Sequence, residues 1–194
     1  CLHIRILHPY VIALHAAWKD SKYVYLALEW APYGNLFDFL VARGGKLSEH
    51  EAASVVIRPL MAALAFLHSQ NFIHRDIKLE NIVMDGQAQI KLCDFGLAID
   101  QKFEQANTRL GTFGYFAPEV LDCPLKKGPF DFKGDPSVPT YDCKVDCWSA
   151  GVLAYELLTG KAPFSASSAT KILDAIRTRE LEYPPDLSPG AVSF

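Results

Sequence analysis

Apolar residues along this chain follow two rhythms. Tyr23-Val24-Tyr25-Leu26-Ala27-Leu28 is a continuous aromatic, β-rich run that predicts a strand. Val11–Trp18 is predicted as its hairpin partner, with Lys19-Asp20-Ser21-Lys22 as the turn. Pro32, Gly34 and Asn35 then break the chain, and a short helix is predicted near Leu36–Ala42. From Ser48 the rhythm lengthens. Ser48-Glu49-His50-Glu51 is a capping box, in which the Ser hydroxyl and the Glu carboxylate satisfy orphan helix amides. The helix it opens carries Ala52, Val55, Val56, Leu60, Ala63, Leu64 and Leu67 at helical spacing, a stripe that predicts core. Pro59 lies inside that helix and predicts a kink. Ile82-Val83-Met84 and Gln89-Ile90-Lys91-Leu92 read as short strands joined by a turn at Asp85-Gly86. Val145–Thr159 reads as a buried helix closed by Gly160, and Thr170–Thr178 as another. The proline-rich stretch Asp122–Thr140 reads as one long loop.

Composition narrows the classes. The 194 residues are enough for one large domain or part of one. Half are hydrophobic and 21% are charged, which is globular rather than disordered. A net charge of −3 and the absence of a Lys/Arg cluster point to neither nucleic acid nor an anionic membrane as partner. The most apolar stretches, Val55–Leu67 and Ala150–Leu158, are interrupted by Arg58 and Glu156, and neither reaches the roughly 18 apolar residues of a membrane span. Five irregularly spaced cysteines suit a reduced cytoplasmic or nuclear setting. Cys143 and Cys147 lie four apart, but no second Cys/His pair accompanies them to make a metal site. The chain starts with Cys1 and shows no signal peptide, and it reads as a piece beginning mid-domain.

The candidate chemistry lies in "HRDIKLEN", residues 74–81, which follows the apolar pair Phe72-Ile73. Standing alone it would as readily be a solvated turn. Two further observations change that. Asn81 sits five residues beyond Asp76, and Asp94-Phe95-Gly96 directly follows a predicted strand, where Gly96 frees the backbone. A carboxylate plus an amide oxygen is a hard ligand set that suits Mg²⁺ bridging phosphates. A second carboxylate could accept a proton from an incoming hydroxyl, and Lys78 could stabilise charge on a transferring phosphoryl group. Such chemistry asks the protein mainly for positioning and electrostatics.

In order and spacing, His74-Arg75-Asp76-Ile77-Lys78-Leu79-Glu80-Asn81, Asp94-Phe95-Gly96 and Ala117-Pro118-Glu119 resemble the eukaryotic protein kinase signature. The resemblance implies an α+β, protein-kinase-like fold, mostly the helical C-lobe with the last strands of the N-lobe. Residues 1–30 would be the N-lobe remnant and hinge, and 31–194 the C-lobe. ATP and Mg²⁺ are the implied cofactors, and proteins the implied substrates. Asp76 is implied as catalytic base, Asn81 and Asp94 as Mg²⁺ ligands, and Lys78 with Thr112 as the mark of the serine/threonine branch. Leu28-Glu29-Trp30-Ala31 resembles the gatekeeper and hinge, where the backbone of Glu29 and Ala31 would meet the adenine edge above Val83, with Asn35 and Cys93 completing the nucleotide site. Leu14, His74 and Phe95 resemble members of the spine that links the lobes. Asp146-Cys147-Trp148-Ser149-Ala150-Gly151 resembles the start of the central helix, whose Asp braces the catalytic loop. Arg75 before Asp76 implies a switch by activation-loop phosphorylation, with Thr108 as the site and an upstream kinase as activator. Glu80 and Glu156 match positions at which basophilic kinases hold a substrate arginine. Val24–Pro32 and Leu181-Glu182-Tyr183 look most like Aurora-type kinases, with calcium/calmodulin-dependent kinases close behind.

The chain departs from the pattern in several places. No glycine-rich loop, strand lysine or helix glutamate is found, and by its spacing to His8-Pro9 the glutamate would fall just before Cys1, so this piece by itself is expected to be inactive. Asp146 follows Glu119 by 27 positions, longer than the short versions of this segment, and the extra residues near 123–139 are expected to loop out as a tolerated surface insertion. Leu79 and Tyr10 stand where proline and asparagine are frequent. Two competing readings are an inactive scaffold of the same fold and a small-molecule kinase. Asp76, Asn81 and Asp94 together argue against the first; Gly111-Thr112 and Ala117-Pro118-Glu119, which serve protein-substrate docking in the family, argue against the second.

Overall fold

The computed structural model describes residues 2–125, 128, 131–132, 135–178 and 181–194. The amino-terminal hairpin pairs β1 (Leu14–Lys19) antiparallel with β2 (Val24–Leu28), with a register irregularity between Leu14 and Ala16. Its turn is closed by Asp20, whose carboxylate accepts the Lys22 and Tyr23 N–H groups, each at 2.7 Å. That Asx-type closure ends the predicted strand and explains why β1 runs one residue past Trp18. Asn35 caps α1 (Leu36–Ala42), accepting the Asp38 N–H at 2.9 Å.

The long helix α2 covers Glu49–Ser69. Its capping box is complete: Ser48 Oγ accepts from Glu51 N–H at 3.3 Å, and Glu51 accepts from Ser48 N–H at 3.2 Å. In place of a simple proline kink, residues Ala52–Ile57 wind as a π-helix before the α-helical turns of Arg58–Ser69. The Arg58 N–H reaches back five residues to the Ala53 carbonyl. The wider turn lies where the Pro59 ring would otherwise meet the carbonyl of the preceding turn. By length and composition alone α2 could cross a membrane, a possibility that counting unbroken apolar residues missed. Its apolar stripe instead lies in the core, with Val56, Leu60, Ala63 and Leu67 fully buried and Val55 facing out.

That core is shared with α3 (Lys144–Thr159) through Ala150, Leu153 and Leu157, and with the hairpin of β4 (Ile82–Met84) and β5 (Ile90–Leu92) through Ile82, Met84, Ile90 and Leu92. Each of these Leu, Ile and Met side chains contributes about 1.5–3 kcal/mol on burial, so these contacts fix the mutual position of the elements that carry the site. Gly160 ends α3 at φ +71°, the left-handed cap. The helices α4 (Ala169–Thr178) and α5 (Pro189–Val192) follow. A further antiparallel pair, β3 (Phe72–Ile73) with β6 (Ile99–Asp100), has only two residues a side, too short for any periodic signal. It sits at the base of the candidate site: β3 leads into residues 74–81, and β6 follows Asp94-Phe95-Gly96.

Candidate active site

Residues 74–81 are held from beneath by a fully buried carboxylate. Asp146, in the first turn of α3, accepts the N–H of His74 at 2.9 Å and of Arg75 at 2.8 Å, and meets His68 Nε2 at 2.9 Å. Arg75 sits at φ +71°, a conformation that a non-glycine residue keeps only when its surroundings over-determine it. The His74 ring is fully buried; its Nε2 donates to the Cys93 carbonyl at 3.0 Å and its Nδ1 accepts the Asp76 N–H at 3.3 Å. Burial lowers its pKa, so the ring is neutral and held in one tautomer. The bond from His74 to the Cys93 carbonyl thus ties residues 74–76 to the segment that delivers Asp94.

Asp76 is 8% exposed and is the centre of a converging set. Thr112 Oγ1 donates to Asp76 Oδ1 at 2.7 Å, and Lys78 Nζ lies 2.8 Å from Asp76 Oδ2 and donates to Thr112 Oγ1 at 2.9 Å. Asn81 Nδ2 donates to Asp76 Oδ2 at 2.8 Å and to the Asp76 carbonyl at 2.9 Å. Burial pushes the Asp76 pKa up, but the hydrogen bonds from Lys78 and Thr112, the Lys78 charge and the Asn81 amide outweigh it and hold the carboxyl below its usual range. At neutral pH it is an ionised acceptor.

The Cys93 N–H donates to the Asn81 carbonyl at 2.9 Å, which places Asn81 beside the residue preceding Asp94. Asp94 is exposed, at φ +59°, with Oδ1 accepting the Gly96 N–H at 3.0 Å. Among the described residues no cluster of three or more His, Cys, Asp or Glu could hold a metal by itself. One carboxylate and one amide oxygen nonetheless suit Mg²⁺, which takes few protein ligands and completes its shell with water and phosphate oxygens. Because the Asn81 amide nitrogen is engaged by Asp76, its oxygen is the atom left for a cation. Behind Asp94, Phe95 lies between two histidines, with ring centroids 4.5 Å from His3 and 4.9 Å from His74. His3, which the sequence reading passed over, is buried and its Nε2 donates to the Ile12 carbonyl at 2.7 Å.

The predicted nucleotide-lining residues lie at the end of β2, in the segment from β2 to α1, in β4 and directly after β5. Leu28 ends β2 opposite Leu14 and is partly exposed. Glu29 donates its N–H to the Ala13 carbonyl at 2.8 Å, accepts the Ala13 N–H at 3.1 Å, and pairs with Lys91 at 2.9 Å. The Ala31 carbonyl accepts from Gly34 N–H at 3.3 Å. Those bonds use the Glu29 N–H and the Ala31 carbonyl, so an adenine edge would meet the Glu29 carbonyl and the Ala31 N–H. Val83 is half-buried in β4 and bridges Asn35. The Asn35 side chain is committed to the α1 cap, with Nδ2 donating to Asp38 at 2.9 Å as well, which leaves it little to offer a ribose. Burial first, and the neighbouring Asp94 charge second, push the Cys93 thiol to about 11, so it is a packing group.

Thr108 does not lie where an open phosphorylation site would. It is 3% exposed, and its carbonyl accepts the Tyr141 hydroxyl at 2.9 Å. That hydroxyl also accepts from Arg75 Nη1 at 3.2 Å, while Arg75 Nε donates to the Leu97 carbonyl at 2.7 Å. Arg75 and Thr108 therefore belong to one network, joined by a tyrosine that no motif had marked. One described residue of the insertion meets this segment: the Phe132 carbonyl accepts from Asn107 Nδ2 at 2.8 Å. Part of the predicted loop, residues 126–127, 129–130 and 133–134, lies outside the described residues.

The model of the protein kinase domain matches residues 2–193. The chain belongs to the protein kinase family. Its kinase-like α+β fold is the one the motifs implied. It is 33% identical over 195 residues to an Aurora kinase of Encephalitozoon cuniculi, covering 100% of this chain and 66% of that relative. It is 35% identical over 189 residues to Aurora kinase B-A of Xenopus laevis, covering 97% of this chain and 47% of that protein. It is 35% identical over 189 residues to the serine/threonine-protein kinase PLK4 of Drosophila ananassae, covering 96% of this chain and 22% of that protein. The kinase segment described here thus spans less than two thirds of the length of each of these relatives.

Proposed function

We propose that the protein carrying this chain transfers the γ-phosphoryl group of ATP to serine and threonine hydroxyls of protein substrates. The observation that carries this reading is the convergence of Lys78 and Thr112 on the Asp76 carboxylate. An ionised carboxylate offers about four acceptor sites, and Thr112, Lys78 and Asn81 take three, so one direction remains for a substrate hydroxyl. In this reading Asp76 orients that hydroxyl and takes its proton. Lys78, already beside Asp76, offsets charge on the transferring group. Thr112 fixes both and faces the incoming backbone. Mg²⁺ held by Asn81 and Asp94 would neutralise charge between the phosphates. The Glu29 carbonyl and Ala31 N–H would hold the adenine edge, with Leu28 and Val83 against its faces.

Substrate choice follows from a neighbouring cavity of about 290 Å³, lined among others by Glu80, Glu156, Tyr115 and Phe37. Burial raises the Glu156 pKa, and Tyr115 donates a short hydrogen bond to it. A cationic side chain two or three residues before the acceptor would compensate both carboxylates at once. The test is a phosphotransfer assay of the whole protein against a peptide array, with Asp76→Asn as the inactive control. Incorporation into Ser/Thr peptides with upstream Arg, lost in the control, supports the reading. Incorporation only into tyrosine, or a preference for proline after the acceptor, overturns it.

A further inference from the structure

Tyr141 connects two segments whose relative position decides whether Thr112 can reach Asp76. Its backbone N–H donates to the Ala106 carbonyl at 2.8 Å. Its hydroxyl donates to the Thr108 carbonyl at 2.9 Å and accepts from Arg75 Nη1 at 3.2 Å. The ring is 7% exposed. Burial raises the phenol pKa, so the group stays protonated at neutral pH and can donate and accept together. On the catalytic-loop side, Arg75 is held through its own N–H by Asp146 and through Nε by Leu97.

The same segment is tied down at other points. Asn107 donates to the Phe132 carbonyl at 2.8 Å, and Arg109 donates its N–H to the Pro124 carbonyl at 2.9 Å and its Nε to the Cys123 carbonyl at 3.2 Å. Thr108 is buried within these contacts, and the guanidinium that a phosphate on it would engage already has two partners. We propose that Tyr141 is a positioning residue that clamps residues 106–108 onto the catalytic loop, so that phosphotransfer needs no phosphate on Thr108. The proposal rests on the kinase reading above and adds how its activation segment is held.

The experiment compares the phosphatase-treated whole protein with its Tyr141→Phe and Thr108→Val variants. Phenylalanine removes only the hydroxyl, and valine keeps the buried shape of Thr108 while removing any acceptor for phosphate. Phosphotransfer from ATP to a peptide with Arg two and three residues before Ser is measured, together with amide hydrogen exchange over residues 106–111. Treated wild type and Thr108→Val should turn over equally. Tyr141→Phe should lose about tenfold or more in kcat at an unchanged KM for ATP, with faster exchange in that segment, because a loosened clamp leaves Thr112 and Asp76 misplaced in the transition state without touching the ATP site; tenfold corresponds to about 1.4 kcal/mol. A merely structural loss would not separate kcat from the ATP KM. The proposal is overturned if treated wild type gains activity only when an added kinase phosphorylates Thr108, or if Tyr141→Phe matches wild type in exchange and kcat. If wild type transfers no phosphate in either state, the kinase reading fails, and exchange alone then decides whether the clamp exists.

Discussion

A methyl group on Gly111 would sit 2.6 Å from the Arg75 carbonyl oxygen. Gly111 also adopts φ +122°, which a side chain resists. The activation segment therefore touches the backbone of the catalytic loop one residue before Thr112, and only glycine permits that approach. Gly111→Ala should cost about 1–3 kcal/mol in backbone strain and move Thr112 away from Asp76. Thermal unfolding together with kcat checks this; a variant with wild-type midpoint and turnover would show that the approach is dispensable.

Asp146 tests the floor of the same loop. Asp146→Ala leaves the N–H groups of His74 and Arg75 and the His68 ring without their shared acceptor, in a fully buried place. The expected loss is about 3–5 kcal/mol, as for removing one partner of a buried charged network. Denaturant unfolding measures it, and a loss below about 1 kcal/mol, the size of one ordinary hydrogen bond, would contradict the brace.

Asp76→Asn keeps the size of the side chain and removes its charge. Turnover in the whole protein should fall by about 10²–10⁴-fold with the fold intact, the range of a positioned acid–base group. Retention of more than about a tenth of the activity would remove Asp76 from the base position.

Asp94→Ala deletes a proposed oxygen ligand instead of a proton acceptor. Its Mg·ATP affinity, measured by calorimetry, should therefore fall further than that of Asp76→Asn. Equal affinities for the two variants would take Asp94 out of the cation site.

The depressed pKa of Asp76 has a definite sign in stability. A carboxyl whose folded-state pKa lies below its unfolded value contributes stabilisation that is complete above the unfolded value, ordinarily 3.8, and disappears as pH falls through the folded one. The difference in melting temperature between wild type and Asp76→Asn should be flat from pH 7 to 5 and shrink in more acid solution. A difference that grows as pH falls would mean that the carboxyl is held above its ordinary range.

Local interactions made much of this molecule legible in the sequence. Apolar spacing and the Ser48–Glu51 box announced α2, Gly160 marked the end of α3, and the break at Pro32, Gly34 and Asn35 set off α1, because periodicity, caps and breakers act within one or two helical turns. The motifs at Asp76, Asn81 and Asp94 were legible because a reacting centre needs fixed residue types at fixed spacing on one short loop and the strand beside it. Tertiary structure decided the rest. Winding in α2 absorbed Pro59 where a lone helix would bend, and two-residue strands formed at β3 and β6 only because the chain brings them together. Thr108 is buried and Arg75 is engaged by Tyr141, 66 residues further along the chain. No local rule ties a tyrosine after a long insertion to an arginine in the catalytic loop. That contact exists because α2, α3 and the β4–β5 hairpin close on one core and hold their loops at hydrogen-bonding distance.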